Sequence, residues 1–140
     1  MNTLTDIIKL PELLAPAGDL VRLKAAVDYG ADAVYLAGEE FGMRTAATNF
    51  GEEDLKKGIE YAHSHGVKVH ITCNTIPHNS EMPRLPSFLE LINDLGADAV
   101  IASDLGTMGL AFGVFNLTSA GISVALFLSF VLALIFKPRH

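Results

Sequence analysis

The sequence predicts an α/β fold of strand–helix repeats. Four parallel strands are expected, half of an eight-stranded barrel or a small open sheet, followed by an apolar carboxyl-terminal helix. Three observations carry that expectation. The pentapeptide GADAV occurs at 30–34 and again at 96–100, and HGVKVHITCN at 65–74 has the same layout, a glycine before an apolar run. Gly30, Gly66 and Gly96 follow one another after 36 and 30 residues, room for one helix and one buried strand each time. Residues 117–136, LTSAGISVALFLSFVLALIF, form a run of twenty without a charge.

The first strand is expected in LLAPAG (13–18). In DLVRLKAAVDYG, Leu20, Leu23 and Val27 share a helical face, with Asp19 placed to cap the amino end and Gly30 the other. DAVYLAG (32–38) is the second strand. In EEDLKKGIEYAHSHG, Leu55, Ile59 and Ala62 share a face, and Glu52, Glu53 and Asp54 sit where the helix dipole favours acids. KVHITCN (68–74) is the third strand. LPSFLELINDLG then gives a helix with Phe88, Leu91, Ile92 and Leu95 as its stripe and Pro86 near the first turn. DAVIASD (98–104) is the fourth strand. The second and fourth strands are nearly continuous apolar runs, as in parallel strands covered on both faces.

The charge is divided by position. All sixteen acidic residues lie at or before Asp104 with eight of the ten basic ones, a net of −8 there, against +2 from Lys137 and Arg139. An acidic front argues against non-specific nucleic-acid binding, which relies on cations meeting phosphates. The one cysteine, Cys73, allows no intrachain disulfide and alone holds neither an iron–sulfur cluster nor a four-thiolate zinc. No metal site is expected. The start, MNTLTDIIKLPELL, lacks the basic and long apolar regions of a signal peptide, so a cytoplasmic location is the expectation.

In parallel α/β folds, sites gather beyond the carboxyl ends of the strands. Here those ends are APAGD, LAGEEFGMRTAATNF, TCNTIPHNSEMPR and ASDLG, and the second and third are long for such connections. Arg44 is suited to clamping a carboxylate or phosphate, or else to tying its loop to a carbonyl or to Glu39 or Glu40. Asn49 orients a ligand or caps a turn. His78 is the best placed of the five histidines to act as acid, base or ligand, or is a hydrogen-bonded loop residue. Asn74 and Asn79 flank it with the same two readings.

His63 and His65, two apart, make a poor metal pair, and His70 is expected to pack in its strand. Cys73 reads as a buried, unreactive thiol rather than a nucleophile with His78 as its base. Asp19 and Asp104 stand at strand ends where a barrel enzyme uses carboxylates.

PELLAPAGD, GADAVYLAG, EFGMRTAATNF, YAHSHGVKVHITCNTIPHN and LGADAVIASDLG, in this order and spacing, resemble the start of the collagenase-like peptidase family from about residue 11 to about residue 111. The resemblance implies a TIM-barrel-like catalytic domain. Its members include proteases and proteins of tRNA uridine hydroxylation or of oxygen-independent hydroxylation in ubiquinone synthesis. The hydroxylation members carry a 4Fe–4S cluster on cysteines of the later part of the domain, so no cofactor is expected on these residues. By motif match, Arg44, Asn49, Asn74 and His78 carry over as the binding edge, with His78 the catalytic candidate and Arg44, Asn49, Asn74 and Asn79 binding substrate.

The family-like pattern is expected to cover residues 1–111, the amino-terminal half of such a domain. Residues 112–140 then form an apolar tail, either a transmembrane helix ended by KPRH or the product of a frameshift, fusion or truncation. Three readings follow, of which one is an intact small soluble protein with residues 110–136 as a core helix under the sheet, and the other two name a function. One is an amino-terminal portion of a peptidase or hydroxylation protein, inactive alone and needing a second chain or a later half to complete its barrel. The other is a membrane-anchored α/β module that binds a small anionic ligand.

Overall fold

The computed structural model describes residues 11–42, 49–114, 122–127 and 131–136. The expected alternation is present: β1 (Leu14–Pro16), α1 (Leu20–Asp28), β2 (Ala33–Leu36), α2 (Glu52–Ser64), β3 (Lys68–Cys73), α3 (Leu85–Asp94), β4 (Ala99–Ala102) and α4 (Leu105–Val114). Asp19 caps α1 by accepting the Arg22 backbone N–H at 2.8 Å. Gly30, Gly66 and Gly96 each have positive φ (93°, 72° and 90°), which lets the chain leave a helix and turn directly into the next strand.

A 3₁₀ turn, Met82–Arg84, precedes α3 and was not expected from the pattern. It leads directly into α3, in which Leu85, Phe88, Leu89 and Ile92 are buried, whereas Leu91 and the following Leu95 are only half-buried. Phe88 and Ile92 keep their expected places.

Strands β1 to β4 pair in parallel in chain order. Val34, Leu36, Val69, Ile71, Cys73 and Val100 join Leu23, Leu55, Ile59, Leu89 and Ile92 in one hydrophobic core. These strand residues alternate with Tyr35, His70, Thr72 and Ile101, which the two-residue strand period turns to the opposite face. At the amino ends of the strands the Asp98 carboxylate accepts hydrogen bonds from the Val69 N–H (2.8 Å) and from His63 Nε2 (2.7 Å), fastening α2 to the sheet.

The carboxyl-terminal segment departs from expectation. It is not an apolar helix but a pair of strands, β5 (Ile122–Phe127) and β6 (Val131–Phe136), joined antiparallel. β6 also lies antiparallel to β4, with Ile101 opposite Ile135 and Ala102 opposite Leu134. The described strands therefore form one sheet of six in the order β1-β2-β3-β4-β6-β5. ISVALF and VLALIF are rich in β-branched and aromatic residues, which suit a pleated surface, and β4 offers a row of open backbone groups. Hydropathy alone does not separate such a hairpin from a membrane helix.

Among the described residues no helix is long and apolar enough to cross a membrane. The expected transmembrane helix over 117–136 is thus corrected to the β5–β6 pair where those residues are described. Residues 117–121 and 128–130 of that expected span lie outside the described residues.

Candidate functional site

The carboxyl edge of the parallel sheet is built mainly from the connections after β2 and β3. The β2 connection leaves and returns at one place. Gly38 and Phe50 form an isolated parallel bridge, the Glu39 N–H donates to the Phe50 carbonyl (3.2 Å), and the Phe50 N–H donates to Ala37 (3.1 Å). Gly42 lies so close that a Cβ there would stand 2.7 Å from the Ala37 Cβ and 3.6 Å from Asn49 Nδ2. Asn49 is therefore at a pinned foot of this loop, half-buried and already engaged. Arg44 lies at 43–48, outside the described residues.

Phe41 is the one non-glycine residue with positive φ (61°) among those described. A bulky side chain in the left-handed region is uncommon and persists only when its surroundings hold it there. Here the ring is buried and packs on Phe88, centroids 5.4 Å apart, and the carbonyl accepts from both the N–H (3.3 Å) and Oγ1 (3.1 Å) of Thr75. These bonds tie the β2 connection to the β3 connection.

Asn74 follows β3 directly and is half-buried and engaged. His78 is exposed; its N–H donates to Glu81 Oε2 (2.8 Å), and its carbonyl accepts from the N–H groups of Glu81 (2.8 Å) and Met82 (3.1 Å). The backbone of His78 thus closes the turn that leads into the 3₁₀ turn, while the residue is exposed. Asn79 is exposed within the same turn. An ion pair between Arg84 Nη1 and Glu40 Oε1 (2.9 Å) fastens the end of that turn to the β2 connection.

Beyond β4, Asp104 Oδ1 accepts the Thr107 N–H (2.9 Å) at the start of α4. Its Oδ2 and the Thr107 hydroxyl are buried without a hydrogen-bond partner. Asp19 is committed to capping α1 and to an ion pair with Arg22 (2.6 Å). Cys73 is buried on the core side, and desolvation pushes its thiol up to about 12, so it is protonated at neutral pH and is no nucleophile. Of the helix-end histidines, His63 is held by Asp98 and His65 stacks on Tyr61. No cluster of three or more His, Cys, Asp or Glu suited to a metal ion occurs among the described residues.

The sequence profile described as Peptidase family U32 matches residues 18–126. The chain belongs to this family. It is 49% identical over 100 residues to an uncharacterized protease of Methanocaldococcus jannaschii, covering 71% of the chain and 25% of the relative. It is 45% identical over 98 residues to tRNA hydroxylation protein P1 of Bacillus subtilis, covering 70% and 23%. A collagenase of Porphyromonas gingivalis is 37% identical over 98 residues, covering 69% and 24%. The chain spans about a quarter of the length of these relatives. The family match extends past the expected limit near residue 111, through α4 and into β5.

Within this U32 chain, His78 and Asn79 share one exposed turn and Asn49 and Asn74 stand half-buried at the roots of the two connections. Phe41 and its bonds with Thr75 were not foreseen, because FGM carries no glycine at the position that takes positive φ. The partnerless atoms of Asp104 and Thr107 were not foreseen either, since hydrogen-bond satisfaction has no signature in the sequence. Asp104 itself had been marked by its place at a strand end.

Proposed function

We propose that the chain is the amino-terminal portion of a family U32 catalytic domain and presents a substrate-binding edge rather than a complete active site. The observation that carries this reading is the convergence of two long connections at one edge of a parallel sheet. Thr75 and Phe41 tie these connections together, and Asn49, Asn74, His78 and Asn79 lie along them. Arg44, carried on the β2 connection, clamps a carboxylate or phosphate of the substrate. The asparagines orient it, and the His78 imidazole takes or gives a proton.

In this reading β1 to β4 are the first half of a TIM-barrel-like domain, and the face bearing Tyr35, His70 and Thr72 is its interior. Completion comes from a later portion of the domain or from a second chain, and the 140 residues alone are inactive. The hydroxylation type is favoured over a thiol-dependent peptidase, because the one cysteine of the chain is buried and protonated; identity does not separate the two types, at 49% to the uncharacterized protease and 45% to the tRNA hydroxylation protein. Any 4Fe–4S cluster belongs to the later portion.

The test compares two proteins in a strain lacking tRNA uridine hydroxylation. One is the chain alone; the other is residues 1–114 joined to the remainder of the Bacillus subtilis relative. Mass spectrometry of tRNA nucleosides should find hydroxylated uridine only with the joined protein, and at least tenfold less after Arg44→Ala or His78→Ala. Hydroxylation by the chain alone would sink the claim of inactivity. A folded joined protein that cleaves gelatin and leaves tRNA untouched would favour the peptidase type.

A further inference from the structure

A cleft of about 430 Å³ opens between the amino ends of α2 and α3, bordered by Glu39 and Glu40 of the β2 connection and by Pro83 and Arg84 of the 3₁₀ turn; His78 and Asn79 do not line it. Its floor is apolar and firmly built: Phe50, Leu55 and Phe88 are all buried. The Phe88 ring is so close to Gly38 that a Cβ there would meet it at 2.9 Å, and Phe50 is pinned by its bridge to the same glycine. The size is within the usual range of binding cavities, and an apolar floor with a few rim charges is their usual make-up.

The rim carries Glu39, Glu40, Glu52 and Arg84. Glu40 and Arg84 neutralise each other at 2.9 Å. Glu39 rests against Gly51, where a Cβ would lie 3.5 Å from its Oε1, and Glu52 is the first residue of α2. No hydrogen bond or ion pair joins either carboxylate to another described residue. Glu53, one position on, pairs instead with Lys57 at 2.7 Å. The helix ends soften these negative charges, but each supplies only about half a charge against two full ones. Among the described residues the rim holds one guanidinium, that of Arg84, against a carboxylate and has two further carboxylates.

We propose that this cleft receives a basic side chain, lysine or arginine, of a polypeptide partner. The methylene stem lies on Phe50, Leu55 and Phe88, and the charged head lies between Glu39 and Glu52. A long cationic side chain suits such a site because its stem is apolar and its head seeks the rim. An anionic or neutral side chain leaves the two carboxylates unmatched. The cleft is open to solvent on one side, as entry of a side chain from another polypeptide requires.

The test is an NMR titration of the whole ¹⁵N-labelled chain with acetyl-Leu-Lys-Leu-amide and with acetyl-Leu-Glu-Leu-amide. The lysine peptide should give saturable shifts of the amides of residues 51–55 and 84–88, and the glutamate peptide none. Combining Glu39→Gln with Glu52→Gln should weaken the lysine peptide at least fivefold. Glu53→Gln, which removes the same charge from the same helix turn outside the cleft, should change affinity less than twofold. Ser87→Trp, which fills the cleft and keeps every charge, should abolish the shifts. Equal shifts with both peptides, equal weakening by Glu53→Gln, or no saturable shift would overturn the proposal.

Discussion

Asp98 shows how one side chain can organise an end of the sheet. Its carboxylate is almost fully buried and accepts the Val69 N–H and His63 Nε2, while its own backbone N–H donates to the Val69 carbonyl. Removing the side chain strands a buried backbone donor and releases α2 from β4. Asp98→Ala should therefore lower unfolding stability by about 2–3 kcal/mol. His63→Ala, which leaves the Val69 bond intact, should cost clearly less. Denaturant melts of the two variants check the order, and equal losses would mean that the histidine contact dominates.

Cys73 gives a pH dependence. Burial raises the folded thiol from an ordinary 9.0 to about 12, so the fold favours the protonated form. That preference is fully present below about pH 9 and is lost as pH climbs toward 12, because the unfolded chain releases its proton first. Cys73→Ala should flatten the fall in denaturation midpoint between pH 9 and pH 11. An unchanged slope would show that the thiol is not the group responsible.

At the scale of elements, the sequence was readable wherever local chemistry and packing agree. Asp19 caps α1 as its position required, and the three glycines that mark the repeat all have the left-handed backbone their places demand. The expected stripe of α3 differs in part from the buried one, because Leu85 and Leu89 also share the buried face and the apolar residues of LPSFLELINDLG fit more than one helical face.

The apolar tail was misread for a different reason. Twenty uncharged residues satisfy a membrane helix and a hairpin equally, and what decides between them is an open strand edge more than twenty residues earlier in the chain. The candidate site was legible as a set of loops, since strand ends can be counted along the sequence. The bonds that bring two of those loops together, from Thr75 to Phe41, are long-range and could not be.

For the molecule as a whole, the two ends of the parallel sheet are unequally protected. β1 is three residues long and ends in Pro16, which donates no hydrogen bond, so that edge recruits a neighbour poorly. β4 is Ala99, Val100, Ile101 and Ala102, with no charge and no proline, and among the described residues β6 covers its outer side. A chain ending after Val114 keeps the whole βα series but uncovers that edge. It should form concentration-dependent oligomers in size-exclusion chromatography with light scattering, where the 140-residue chain does not. Ile101 lies on the face turned away from the helices, so Ile101→Lys in the shortened chain places a charge on the open edge without entering the core, and should reduce the association. A monodisperse shortened chain with a cooperative thermal transition would show that the hairpin is dispensable and that β4 tolerates an open edge by itself.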